Sequence, residues 1–232
     1  MKPVFPLVQA TNAGFVDTVG FLALHGLFTA HVTGNFVTLG ASLVLGTSGV
    51  FAKLLALPVF CAFVILARLI RYRLIDSRLP VLRMLLLIKL VLFIVAGILA
   101  IRFGPFPNGD SELAILTGMT LVAAMAIQNA AHRVHLASFP PSTLMTGTTT
   151  QIMLDLADLI HGVSGEARAA VASRLGRMSA SVISFALGCG LAALAYTVSS
   201  TWCFAVPALL GLLALAIIPV EPAEVPKPAT PA

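Results

Sequence analysis

Apolar residues run through this chain in stretches of about 20, separated by short polar or charged breaks, with no alternation of period two. Clear stretches cover roughly 6–27, 52–72, 82–103, 114–136, 178–198 and 202–219. Each has the length of a helix crossing a hydrocarbon layer of about 30 Å. A β-barrel would alternate apolar and polar positions, so that class is excluded. Two shorter apolar segments, 33–47 and 143–161, are opened by polar, backbone-breaking sequence: "HVTGNFVTLG" at 31–40 and "LMTGTTTQIM" at 144–153. They can cross the layer, giving eight spans, or enter it and return, giving six.

Composition fixes the class. Hydrophobic residues make up 59%, charged residues 10%, and the mean hydropathy is +1.02, more apolar surface than a water-soluble domain needs. The chain is expected to be an all-α integral membrane protein. Cys61, Cys189 and Cys203 fall in apolar runs without CxxC spacing and read as packing residues. The opening "MKPVFPLVQATNAG" lacks a signal-peptide pattern.

Positive charge chooses between six and eight spans. The net charge of +5 marks loop asymmetry rather than nucleic-acid binding. With six spans and an inner N-terminus, Lys2, Arg68, Arg71, Arg73, Arg78, Arg83, Arg133, Arg168, Arg174, Arg177 and Lys227 lie inside, Lys53 and Arg102 outside, and Lys89 within a span. Eight spans move Arg168, Arg174 and Arg177 outside with both termini, and the asymmetry vanishes. The positive-inside rule therefore favours six transmembrane helices plus two embedded half-helices. Asp155 and Asp158 on 143–161 agree, because a carboxylate at mid-bilayer costs about 2.5–3.5 kcal/mol. Tyr72, Tyr196 and Trp202 fall at span ends, where amphipathic rings prefer the interface.

The chain then divides into a first repeat, 1–110, a second repeat, 111–220, and a Pro-rich tail, 221–232, expected to be disordered. Each repeat reads as a span, a Thr-Gly segment and two further spans. Thr33-Gly34-Asn35 and Thr146-Gly147-Thr148 stand 113 positions apart. Three crossings per repeat is odd, so the second must be inverted, an inverted 3+3 arrangement typical of secondary transporters. Irregular backbone inside a bilayer is tolerated only where protein buries it or where it lines a wet cavity. Helices opening near Asn35 and Thr148 would aim their N–H groups inward and favour an anion or polar group.

The candidate pathway residues are Asp17, His31, Thr33, Asn35, Gln128, Asn129, Thr146 and Thr148. Asp17 lies mid-span, where an ionisable group is a functional hypothesis by default. Its structural alternatives are capping the Thr-Gly turn or pairing with Lys89. Gln128 and Asn129 either line the same cavity or bond between helices. Arg133, Asp155 and Asp158 form a candidate gate, weighed against a solvated face. His25, His31, His132 and His135 lack nearby ligands to complete a metal set, so no metal is expected. Ala180, Ser184, Gly188 and Ala192 form a small-residue stripe. Pro58 and Pro207 are expected to kink their spans.

The stretch "AGFVDTVGFLALHGLFTAHVTGN", with "AIQNAAHR" and "LMTGTTTQ" in the second half, resembles the YoaK-type family of small bacterial integral membrane proteins, a domain of unknown function. The resemblance covers about 10–220. One departure is Thr148, where the family often has Asn. The resemblance implies a bacterial inner membrane and names no substrate.

No nucleophile elbow, Walker loop, HExxH or dinucleotide fingerprint is present in context, so no enzyme and no cofactor is expected. The sequence reading is a small-solute transporter or channel of the inner membrane with both termini cytoplasmic. Its partners are the lipid bilayer and a small solute or ion, without nucleic acid, and a homodimer is left open. The competing reading is a non-transporting scaffold or accessory subunit that uses the small-residue stripe to bind a partner helix.

Overall fold

The computed structural model describes residues 4–218. The predicted tail at 221–232, with Lys2 and Lys227, lies outside them. All regular structure among the described residues is helical: α1 (Val4–Ala23), α2 (Gly34–Leu45), α3 (Val50–Asp76), α4 (Val81–Phe103), α5 (Glu112–His135), α6 (Met145–His161), α7 (Gly165–Val198) and α8 (Val206–Ile217). A 3-10 turn, Trp202–Ala205, leads into α8. By length and composition, α3, α4, α5 and α7 can each cross a membrane.

Three boundaries differ from the sequence expectation, each for a local reason. α1 stops at Ala23, where His25 (φ 55) and Gly26 (φ 84) take the left-handed conformation that a helix cannot continue. α7 starts at Gly165 because "EARAAVASRLGR" is rich in strong helix formers. At 1.5 Å per residue α7 is about 51 Å long, well beyond a bilayer core of about 30 Å. Pro207 lies in the first turn of α8, where its missing N–H removes no helical bond, so it does not kink a span. Pro58 is internal to α3, as expected.

Close packing sets helix directions. α1 and α7 cross with their backbones touching. A Cβ on Gly14 would stand 2.1 Å from the Phe185 carbonyl oxygen, and one on Gly188 would stand 2.1 Å from that of Thr11. The small-residue stripe of α7 is therefore filled by α1. Tyr196 Oη donates to the Leu22 carbonyl (3.4 Å), so the two helices run parallel. α3 and α5 are likewise paired and parallel, with Asp110 at the first turn of α3 and Arg68, Arg71, Asn129 and Arg133 together near their far ends. α1 and α5 run opposite ways: Gln128 Nε2 donates to the Gln9 carbonyl, while Gly118 faces Leu24 and Leu27.

Two segments double back. After α1 the chain returns until Thr29, Ala30 and His31 lie beside Asp17, and α2 then climbs to Ser48, which bonds His25 Nδ1 (3.0 Å). After α5 it returns until Ser142 and Thr143 lie beside Gln128 and Asn129 before α6 begins.

Candidate functional site

Asp17 is buried on α1, and its carboxylate is saturated by the returning loop. Oδ1 accepts from the Thr29 N–H (2.7 Å), the Ala30 N–H (2.6 Å) and the Thr29 hydroxyl (3.2 Å). Oδ2 accepts from the His31 N–H (3.2 Å) and lies 2.5 Å from His31 Nδ1. One acid thus satisfies three loop N–H groups that would otherwise be orphaned in an apolar interior. Neither structural alternative forms as expected: Asp17 caps the loop at Thr29–His31, ahead of the Thr-Gly turn. Lys89 is not the partner.

Lys89, on α4, has no exposed surface. Its ammonium donates to Gln9 Oε1 on α1 (2.7 Å) and Gln128 Oε1 on α5 (3.0 Å), and stands 5.5 Å from the Phe93 ring centroid. Both hydrogen-bond acceptors are neutral amides. Gln128 Nε2 donates onward to the Gln9 carbonyl (3.0 Å) and the Ser142 hydroxyl (2.9 Å). Asn129 Oδ1 accepts from the Thr143 hydroxyl (2.7 Å), and its Nδ2 donates to the Met125 carbonyl.

His31 lies between the two halves of this network. Beyond Asp17, its ring reaches the backbone of Thr143. Two hydrogen-bonded sets result, Asp17 with His31 and Ser142 with Gln128, Gln9 and Lys89, and His31 lies near the Thr143 backbone between them. A groove of about 470 Å³ ends on Asp17 and His31, walled by Phe21, Phe28, Phe185 and Cys189. A second, of about 440 Å³ between α3 and α5, ends on Asn129.

The Thr-Gly turns behave differently from the loops before them. Thr33 and Thr146 are exposed, and neither of the two grooves is lined by both turns. Asn35 is buried and braces Phe28 twice, accepting from its N–H (2.8 Å) and donating to its carbonyl (2.7 Å). Thr148 is buried too, but its hydroxyl donates to the Leu144 carbonyl one turn back (2.9 Å). The position 113 residues after Phe28 is Pro141, which has no N–H for an Asn side chain to accept.

Asp155 is fully buried and pairs with Arg174 on α7, through Nε to Oδ2 (2.9 Å) and Nη2 to Oδ1 (2.6 Å), with Gln151 also donating to Oδ1 (2.7 Å). The Arg174 guanidinium holds this carboxyl below the usual carboxylate range. Arg133 and Asp158 are exposed, and Arg133 lines the α3–α5 groove instead of meeting Asp155. Among the described residues, Asp155 pairs with Arg174 rather than with Arg133. Sequence reasoning passed over Gln9, Ser142, Thr143 and Arg174, and treated Lys89 only as a partner for Asp17. One signal was available: Asp17 to His31, Gln128 to Ser142 and Asn129 to Thr143 are each spaced by 14.

Residues 5–218 match the family described as "Protein of unknown function (DUF1275)". The chain belongs to this family. It is 36% identical over 151 residues to the UPF0700 transmembrane protein YoaK of Bacillus subtilis (strain 168), a match spanning 62% of this chain and 63% of that protein. The match thus spans under two thirds of the relative's length. No solved structure matches. A transmembrane member of the family agrees with the apolar helices of this fold.

Proposed function

We propose that this protein is a small-solute transporter or channel of the bacterial inner membrane. It would be built as six crossings and two re-entrant segments in inverted repeat, with both termini cytoplasmic. The observation that carries the reading is the pair of buried polar clusters, Asp17 with His31 and Gln128 with Gln9, Ser142 and Lys89, in an otherwise apolar bundle. Such groups are costly in a membrane and mark pathways far more often than packing. The loops after α1 and α5 return from opposite ends of the bundle toward these clusters, which supports a site between two inverted repeats.

Helix directions support the six crossings. α1, α4 and α7 begin at the end where α3, α5 and α8 finish, and the Arg-rich segments gather there, as the positive-inside rule requires of a cytoplasmic face. Exchange of the repeats also preserves the packing: α1 on α7 answers α5 on α3, α1 on α8 answers α5 on α4, and α2 on α3 answers α6 on α7. A solute would reach His31 through the groove beside Phe185 and Cys189. It would leave past Ser142 and Gln128 once the loops part.

A non-transporting scaffold is the second reading. It is favoured by one observation: Thr33 and Thr146 face outward, while Asp17, Asn35 and Thr148 are satisfied internally.

Side-specific labelling separates the two. Cys189 alone, in a C61A/C203A background, should react with a membrane-impermeant maleimide from the periplasmic side. S142C in a cysteine-free background should react from the cytoplasmic side. Protection of both positions from both sides favours the scaffold. A reporter fused after Gly165 should register as cytoplasmic, and a periplasmic signal there would sink the topology.

A further inference from the structure

The two grooves are counterparts of one another. Asp17, Thr18, Phe21 and Leu22 of the α1 wall become Asn129, Ala130, Arg133 and Val134 of the α5 wall by a shift of 112 positions. His31 becomes Leu144 by a shift of 113. On the opposite walls, Phe185 and Cys189 of α7 answer Phe60 and Val64 of α3, each 125 positions earlier. The volumes agree as well, about 470 and 440 Å³. Leu22 and Val134 lie near the C-terminal ends of α1 and α5, which run opposite ways, so the grooves lead toward opposite ends of the bundle. Each has apolar walls and reaches one hydrogen-bonding centre. In the first, Asp17 holds Nδ1 of the half-buried His31 (2.5 Å), which leaves the other ring nitrogen unclaimed by that carboxylate. In the second, Asn129 spends Oδ1 on the Thr143 hydroxyl (2.7 Å) and one Nδ2 hydrogen on the Met125 carbonyl (2.9 Å), and its second Nδ2 hydrogen is unspent. His31 lies near the Thr143 backbone, so a single residue separates the two centres.

We propose that the solute is a neutral, largely apolar small molecule with a single hydroxyl headgroup, taken sideways into either groove and passed between the His31 and Asn129 centres. The inference rests on the transport reading and narrows its substrate class. Both volumes suit one small molecule. The walls are Phe21, Phe28 and Phe185 in one groove and Phe60, Val64 and Leu85 in the other. A sugar or a hydrated ion would give up its water to surfaces that return few hydrogen bonds. An anion would face the Asp17 carboxylate in one groove, and a cation would face Arg133 in the other. A hydroxyl both donates and accepts, so one headgroup suits the His31 ring and the Asn129 amide alike. Phe21, Leu22, Val134 and Leu144 are exposed at the groove rims, which leaves entry from the side open.

The test is photolabelling of the full chain in lipid nanodiscs. Four phenyl-trifluoromethyl-diazirine probes differ only in one ring substituent: hydroxymethyl, methyl, carboxylate or aminomethyl. The hydroxymethyl probe should label 185–189 and 60–64 about fivefold more than the methyl probe at equal concentration, the worth of one hydrogen bond. The carboxylate and aminomethyl probes should label both at or below the methyl level. Asn129→Leu should erase the hydroxyl preference at 60–64 and keep it at 185–189. Should that variant fail to fold by gel filtration, V64W takes its place: it fills the groove and should remove label from 130–134 alone. Equal labelling by the methyl and hydroxymethyl probes would mean a crevice filled by lipid tails and overturn the proposal. Stronger labelling by either charged probe would overturn it too, as would an unchanged preference in Asn129→Leu or persistent label at 130–134 in V64W. The Cys189 and S142C labelling reads the pathway without any solute. Reactive cysteines with no hydroxyl preference would therefore remove this substrate class alone, and protected cysteines would remove the transport reading and this inference with it.

Discussion

His31 stands between Asp17 and Thr143, its Nδ1 2.5 Å from the Asp17 carboxylate and its ring in reach of the Thr143 backbone. This contact ties the loop after α1 to the loop after α5. Neither loop carries a regular backbone pattern of its own. Each is held by side chains on the helix before it.

Asp17 should be critical for stability because one carboxylate serves three backbone N–H groups. Asp17→Ala leaves them unsatisfied at about 1–3 kcal/mol each before relaxation, and should sharply lower the folded yield. Asp17→Asn keeps Oδ1 for Thr29 and Ala30 but places an NH2 against the His31 N–H, so its loss should be clearly smaller. Thermal unfolding in detergent ranks the two. Equal stability of wild type and Asp17→Ala would refute the loop-cap role.

Lys89 should be dispensable for folding. A buried charge replaced by an apolar side chain of similar length is often neutral or better. Lys89→Met should therefore stay within about 2 kcal/mol of wild type, the residual cost being two amide oxygens without a donor. Lys89→Glu sets a carboxylate against the same oxygens and should unfold the bundle. A Lys89→Met variant that folds but loses solute flux would assign the ammonium to the pathway.

Gly188 and Gly14 should tolerate no side chain. A methyl at either meets a backbone carbonyl oxygen at 2.1 Å, and α1 and α7 must separate to admit it. Gly188→Ala should cost about 1–3 kcal/mol or more, as overpacking does. Gly190→Ala, on the same helix with open space beside it, should leave the melting temperature unchanged.

Arg174 should hold α6 onto α7. Arg174→Ala strands the buried Asp155 carboxylate and should raise hydrogen exchange across 145–161 well above wild type, with Arg174→Lys intermediate because it loses the bidentate geometry. The pH dependence follows from the depressed Asp155 carboxyl. Its stabilisation is complete above the ordinary carboxylate range and is lost as pH falls through the lower folded value. Acid should therefore release α6 in wild type, while Arg174→Ala should lack that transition.

Asp110 should anchor the 104–111 loop to α3. Its carboxylate accepts from the N–H groups of Gly49 (2.8 Å), Val50 (3.2 Å) and Phe51 (2.8 Å), capping the helix from outside. Asp110→Ala should cost about 1–2 kcal/mol, the range of a lost cap and dipole interaction. Faster proteolysis within 104–111 would report the loosened loop.

The eight helices were legible because their signal is local. Apolar length, Thr-Gly breaks and loop arginines each act within a few residues, and they placed every helix to within a few positions except the start of α7. The buried Asp17 and Gln128 and the half-buried Asn129 were legible as interior polar groups for the same reason: a bilayer-grade run leaves few polar residues to consider. Their partners were not. That Asp17 caps 29–31, that Lys89 meets Gln9 and Gln128, and that Asp155 chooses Arg174 over Arg133 depends on which helices lie side by side. Those neighbours come from contacts such as Gly14 on Phe185 and Gly188 on Thr11, between residues more than 170 positions apart. By itself the sequence determined a helical membrane chain with two interrupted segments, because hydrophobic burial and backbone satisfaction act residue by residue. Only the tertiary structure decided where the interruptions meet and which polar atoms satisfy one another, because a hydrogen bond needs its two ends within about 3 Å and no local pattern fixes that distance.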